Sequence, residues 1–292
     1  MPRFDQIRSV QVFSFDVKAN RLQGENVTFE PSPNHSGEFA SGAPDSIVIH
    51  FTAGSSLSSS VSVMTNPANK VSAHICIGRE GEVVQMVPFN HIAWHAGRSE
   101  WQGRERLNRY SVGIELDNAG ELTPNGNGAF LSWFNKAYSG DEVFRGVHRN
   151  QQAPSYWHAY TEAQIQATFS LCQVLCQHYP INTIVGHEEV SPGRKTDPGP
   201  AFPLDKLRQR LLGVEPEPQS VASTLRASAP REAVVNASGL NVRAGPGTQH
   251  GKIAEPLTKG TPVTVVKQRD GWAQVRFEST GWVSEQYLQD LD

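Results

Sequence analysis

The stretch Gly186-His187-Glu188-Glu189-Val190-Ser191-Pro192-Gly193-Arg194-Lys195-Thr196-Asp197-Pro198-Gly199 concentrates chemistry in a segment too punctuated to be regular. It presents a histidine, a lysine and an aspartate, with two prolines and two further glycines that exclude a helix or strand interior. It reads as a shaped loop, the kind of element on which functional groups concentrate. A catalytic zinc takes three protein ligands from His, Asp, Glu or Cys and keeps one position for water, whose pKa it lowers to about 7. His187 and Asp197, joined across a Pro/Gly turn, offer two such ligands, and His50 offers a third. Because the chain carries 10 histidines, spacing alone leaves two readings open, a metal centre or scattered core and surface histidines.

The flanking elements decide whether these residues can meet. Ser46-Ile47-Val48-Ile49-His50-Phe51 is a short, almost wholly apolar run, as expected of a strand covered on both faces. Ile184-Val185 forms another short strand and delivers His187 into the loop. Side-by-side pairing of the two, parallel or antiparallel, places both histidines at one end of a sheet. A third strand, Ser111-Val112-Gly113-Ile114-Glu115-Leu116, contains one carboxylate among apolar neighbours. Partial burial raises the pKa of such a group; the competing reading is a salt-bridged or outward-facing Glu115.

The remaining pattern alternates strands and helices. Leu57, Val61 and Met64 mark a helix ended by Asn66-Pro67, and Val71–Gly78 and Glu82–Val87 flank Arg79-Glu80-Gly81 as a hairpin. Thr161 and Gln164 form a capping box that opens a helix with the stripe Ile165, Phe169, Cys172 and Cys176. Leu204, Leu207, Leu211 and Leu212 line a last helix that Gly213 ends. The expected fold class is α/β, a mixed central sheet flanked by helices. Residues 1–45 read as an irregular arm packed on the domain, with a β-prone run from Val10 to Phe15, and 46–213 as the domain itself. Residues 119–158 form a long insertion whose fold the pattern does not decide.

Composition sets the outer limits. At 292 residues the chain suits a medium domain and a small one, and its 38% hydrophobic content, with Gly 25 and Pro 19, describes a loop-rich soluble protein. A net charge of -3 with no long basic run gives no source of attraction to a phosphate backbone, so no nucleic-acid partner is expected. No apolar stretch is long enough for membrane insertion, and the first residues lack the apolar core of an export signal, so cytoplasmic synthesis is expected. Cys76, Cys172 and Cys176 are too few and too oddly spaced for a disulfide framework. Residues 214–230, rich in Pro, Glu, Ser and Ala, read as a linker, and 231–292 as a small all-β barrel of short strands such as Pro262–Val266 and Trp272–Phe277.

Five segments, in order, resemble the motifs of the type 2 zinc-dependent N-acetylmuramoyl-L-alanine amidases, a family that includes phage amidases and peptidoglycan recognition proteins. They are Ile47–Gly54, Ser72-Ala73-His74, Ala93-Trp94-His95-Ala96-Gly97, Ser111–Leu116 and Gly186–Pro200. The resemblance runs from about residue 31 to 212 and implies one zinc ion held by His50, His187 and Asp197. It implies as substrate the amide joining the lactyl group of N-acetylmuramic acid to L-alanine in peptidoglycan or muropeptides. Glu115 is implied as the proton shuttle, and Lys195 as donor to the oxyanion, each consistent with what the reaction needs. Trp94 and His95 resemble a cleft-lining segment, and Asn34 and His74 are further candidates for substrate contact; the alternatives are a packed Trp, a wall histidine and a turn-forming Asn. Relatives that bind peptidoglycan without cleaving it usually lack a metal ligand, whereas all three ligand positions are filled here. The tail, with Gly239-Leu240-Asn241-Val242-Arg243 and Gly281-Trp282-Val283, resembles a bacterial SH3-like domain, which implies wall binding and a bacteriolytic role on intact wall. Recycling of anhydro-muropeptides in the cytoplasm is the competing role, and a monomer is expected.

Overall fold

Six short runs hydrogen-bond into one mixed sheet: β1 Val27–Phe29, β2 Ser46–Phe51, β3 Ile75–Ile77, β4 Val83–Gln85, β5 Ser111–Leu116 and β6 Thr183–Gly186. In this computed structural model, which describes residues 13–213, 231–243, 251–269, 272–277, 280–284 and 288–290, their order is β6-β2-β5-β3-β4-β1. The first four in that order pair in parallel, β3 and β4 form the antiparallel hairpin around Arg79-Glu80-Gly81, and β1 pairs in parallel with β4.

Alternation along the strands divides the sheet into two faces. Ile47, Ile49, Val112, Ile114 and Leu116 turn to one face. They pack with Ala167, Leu171, Cys172 and Leu175 of helix α2 (Glu162–His178) and with Leu204 and Leu207 of a C-terminal helix (Leu204–Leu212). The intervening residues Val48, His50, Ser111, Gly113 and Glu115 turn to the other face, where Val48 packs with Ala96, Leu107, Val185 and Val190. Both faces are covered, which is why β2 and β5 read as nearly continuous apolar runs. Helix α1 (Leu57–Thr65) lays Val61 and Met64 against Ala73, Cys76 and Met86.

The helix ends follow from the sequence. Thr161 Oγ1 accepts from Gln164 N while the Gln164 side chain accepts from Thr161 N, and the C-terminal helix stops at Gly213 with φ 64. All three cysteines are free, Cys76 and Cys172 being buried. Among the described residues no helix is long and apolar enough to cross a membrane.

Two regions hold more regular structure than the sequence pattern reveals. The described part of the first 45 residues is more than an arm: β1 joins the sheet, Asp16–Lys18 pairs with Arg21–Gln23, and Phe13 and Leu22 enter the main core. Strands of three residues are too short for alternation to register in the sequence. Of the β-prone run 10–15, residues 10–12 lie outside the described residues. The insertion at 119–158 folds into a five-stranded antiparallel sheet built from Glu121–Pro124, Phe130–Leu131, Ala137–Tyr138, Val143–Val147 and Pro154–His158. Its own small core contains Ala119, Leu122 and Tyr138, flanked by Phe130, Phe134 and Tyr156.

The chain divides into two compact units, residues 1–218 and 219–292, and the expected linker at 214–230 lies outside the described residues. In the second unit seven strands form one antiparallel sheet, with Val263, Val265, Ala273 and Val275 alternating into a core that also holds Ala233, Val235, Leu240 and Val242. Pro262–Arg269 and Trp272–Arg276 pair as a hairpin, and the motif residues 244–247 lie outside the described residues.

Candidate active site

Strand register brings the site together. Parallel pairing of β2 with β5 sets Glu115 beside His50, and pairing of β2 with β6 sets Gly186 beside Ile49, so His187 emerges next to His50. An added Cβ at Gly186 would lie 2.8 Å from Pro198 Cδ, so a glycine there lets the following loop fold back over the strand end. The loop is less irregular than its punctuation suggests, since His187–Val190 form one helical turn before Pro192 and Gly193 stop it. Asp197 returns to His187 because Glu188 N donates to the Asp197 carbonyl (2.8 Å) and Gly199 N donates to Glu188 Oε2 (3.0 Å).

Three donor atoms converge there. His50 Nδ1, His187 Nδ1 and Asp197 Oδ2 lie 2.9 Å from one another, and all three residues are buried. Tetrahedral metal bonds of about 2.0–2.1 Å separate neighbouring ligand atoms by roughly 3.3 Å, so the triad matches a metal's needs to within a few tenths of an ångström. Its charge state matches too. Burial, followed by the neighbouring His187, lowers the His50 pKa to about 4. Burial works to raise that of Asp197, but the imidazoles of His187 and His50 outweigh it and hold the carboxyl below its usual range. A neutral imidazole and an ionised carboxylate are the forms that bind metal.

Glu115 stands apart from the donors in chemistry. Burial, reinforced by the charge of Asp197 and opposed by Lys195, raises its pKa from 4.5 to about 8. Its Oε2 is buried and has no hydrogen-bond partner among the described residues. Few buried carboxylate oxygens are left in that condition, and such an orphan points to a group reserved for something other than packing. Lys195 is half-buried, and its charge acts on both Glu115 and His50.

The family model described as N-acetylmuramoyl-L-alanine amidase matches residues 40–200, more than half of the chain, and spans all five of these residues. The chain belongs to this amidase family. A second model, bacterial SH3 domain, matches residues 238–289. Among curated relatives of the amidase domain, the 1,6-anhydro-N-acetylmuramyl-L-alanine amidase AmpD of Escherichia coli (strain K12) is 39% identical over 145 residues, covering 49% of this chain and 58% of that protein. The N-acetylmuramoyl-L-alanine amidase AmiD of the same strain is 34% identical over 207 residues, covering 68% and 64%. The chain thus spans less than two thirds of the length of either relative. A solved structure of AmiD from E. coli with the substrate anhydro-N-acetylmuramic acid-L-Ala-D-gamma-Glu-L-Lys is 28% identical, with a TM-score of 0.45, covering 75% of this chain and 74% of that one.

The four expected substrate contacts of the amidase domain have other duties. Asn34 is buried and its Nδ2 donates to the carbonyls of Met64, Asn66 and Val71, which ties the end of α1 to the preceding loop. His74 is fully buried, bonded through Nε2 to the His91 carbonyl (2.8 Å) and accepting at Nδ1 from Gly113 N (3.0 Å). Both make these contacts within the domain, the arrangement that the sequence leaves open beside substrate contact. Trp94 is half-buried and donates Nε1 to Ser36 Oγ (2.6 Å). His95 is buried with its Nδ1 2.9 Å from His50 Nε2, and burial, followed by the charge of His50, pushes its pKa well below the usual value.

The sequence reading misses the clamp on the metal-side loop. His148 Nε2 donates to Glu188 Oε2 (2.6 Å), Arg149 Nε donates to Glu188 Oε1 (2.7 Å), and Asn150 Nδ2 donates to the Glu188 carbonyl (2.9 Å). Arg149 and Arg208 both pair with Glu189. Consecutive acidic residues directly after His187 are the available signal, but their partners sit in the insertion and, for Arg208, in the C-terminal helix, where nothing in the pattern locates them.

Proposed function

We propose that this chain is a zinc-dependent N-acetylmuramoyl-L-alanine amidase that hydrolyses the amide between the lactyl group of N-acetylmuramic acid and L-alanine of peptidoglycan stem peptides. The observation that carries this reading is Glu115, whose buried Oε2 has no hydrogen-bond partner among the described residues and which strand register holds beside a His/His/Asp donor set inside the amidase domain. The activities named for AmpD and AmiD support it.

His50, His187 and Asp197 would hold the zinc, a set of two nitrogens and one oxygen typical of catalytic rather than structural zinc. When bound, zinc supplies Lewis acidity, polarising the scissile carbonyl and acidifying water. Glu115 takes the proton of the attacking water and returns it to the leaving amine. With a dication in the donor set its pKa would fall from about 8 toward neutrality, where a group that both accepts and donates works best. Lys195 donates to the oxyanion of the tetrahedral intermediate, a contribution of roughly a hundredfold or more.

The match to a bacterial SH3 domain supports action on polymeric wall, with the second unit holding the enzyme at its substrate. The name of AmpD favours the competing reading, anhydro-muropeptides as the substrate. Zinc removal and restoration, followed by mass identification of the products from sacculi and from anhydro-muropeptides, tests the reading. Free stem peptides should appear only with zinc present; tight binding to peptidoglycan with zinc bound and no peptide released would sink the enzyme and leave a binding protein.

A further inference from the structure

We infer that the segment His95-Ala96 is a positioning device that sets the tautomer of both histidines in the triad, leaving each Nδ1 lone pair available to a cation held with Asp197. The inference rests on the proposed metal centre and adds to it residues outside its donor set.

The proton positions follow from which neighbours can accept. His95 Nε2 lies 3.3 Å from the Ser111 carbonyl and 3.3 Å from Ser111 Oγ. The carbonyl can only accept, and the hydroxyl proton is already committed to the Leu107 carbonyl at 2.6 Å. His95 Nε2 therefore carries the ring proton, and in a neutral imidazole Nδ1 is then the acceptor. His50 Nε2, 2.9 Å from that acceptor, must donate, which leaves His50 Nδ1 unprotonated. One residue on, the Ala96 carbonyl lies 3.0 Å from His187 Nε2. It too can only accept, and the hydrogens of Arg194 Nη2 have nearer acceptors in the carbonyls of Ala96 (2.9 Å) and Arg98 (2.7 Å), so His187 carries its proton on Nε2 and its Nδ1 is also free of one. Arg194 Nη2, 3.3 Å from the same ring nitrogen, shares that carbonyl as a donor at 2.9 Å.

The result is three acceptor atoms within 2.9 Å of one another, an arrangement that repels itself unless a cation sits among them. Imidazole ligands usually donate their second N–H to a carboxylate, carbonyl or water; here one donates to a third histidine. The segment itself is fixed. Asn108 Oδ1 accepts from the backbone N–H of His95 (3.2 Å) and of Ala96 (2.7 Å). The ring of His95 lies flush on the sheet at Gly113, where an added Cβ would be 2.4 Å from His95 Cγ. A glycine inside a buried strand marks such a close approach, and this independent observation says that the room for His95 is built into β5.

Zinc affinity, visible spectra of the cobalt-substituted protein, and long-range proton–nitrogen NMR of the imidazoles in the zinc-loaded full chain test the inference. Wild type should show His50 and His187 protonated at Nε2. His95→Phe, which keeps ring volume and removes the acceptor, should weaken zinc binding by about 10- to 100-fold and shift the cobalt spectrum. His95→Asn, whose amide oxygen falls near the Nδ1 position, should recover most of the loss. A folded His95→Phe chain with unchanged zinc affinity overturns the positioning role alone. If that variant does not fold, the wild-type spectrum decides, and a His50 ring protonated at Nδ1 overturns the inference. A wild-type chain that takes up no zinc overturns the metal centre and this inference together.

Discussion

At the scale of single residues, Glu115 carries the most information, because its environment makes opposite demands on catalysis and on stability. Glu115→Gln should lower turnover by a factor on the order of 10² to 10⁴ while zinc content stays near that of the parent, measured by metal analysis beside product release. In the metal-free protein the folded carboxyl binds its proton more tightly than the unfolded one, since its pKa is about 8 against 4.5. The stability tied to the neutral acid is therefore complete below pH 4.5 and is lost as pH rises toward 8. Glutamine does not titrate, so the melting temperature of the variant should gain on that of the metal-free parent between pH 5 and pH 8. An equal difference at both pH values would show that the carboxyl is not held protonated.

At the scale of elements, legibility depends on length and on where partners lie. β2 and β5 are readable because, after an opening serine, each runs apolar or glycine except at one position, and that interruption, His50 or Glu115, marks the chemistry directly. The meeting of His50 and His187 is readable because each follows an apolar run that pairs in parallel with its neighbour. The insertion is not readable, since two of its strands have two residues each and no period can show. Nor are the duties of Asn34, His74 and His95, because a histidine or asparagine looks the same in sequence whether its hydrogen bonds go to a carbonyl, another imidazole or a substrate. The insertion also supplies a prediction. Glu188 is buried, and Arg149 is one of two side-chain cations or donors that meet its carboxylate. Arg149→Leu leaves that charge short of a partner and should cost about 1.5–3 kcal/mol, the worth of hydrogen bonds to a charged group, seen as a lower urea midpoint. Unchanged stability would mean that the insertion does not brace the loop at this point.

At the scale of the whole molecule, each unit has its own core, one around the mixed sheet and one around Val235, Val263, Ala273 and Val275. Separate cores allow separate functions, and the proposal divides them into cleavage and attachment. Attachment raises the effective concentration of the enzyme at an insoluble polymer but gives no advantage with a small soluble substrate that diffuses freely. Deleting residues 231–292 should therefore slow release of stem peptides from sacculi, most strongly at low enzyme concentration, and leave kcat/KM on a soluble muropeptide within about twofold. The soluble substrate serves as the control for damage to the first unit, because every residue of the triad, Glu115 and Lys195 lies before the deletion. Equal losses on both substrates would show that the second unit supports the fold or the cleft instead of holding the wall. Full activity on sacculi would show that the amidase domain finds its polymer unaided, and the SH3-like unit would then need a different partner.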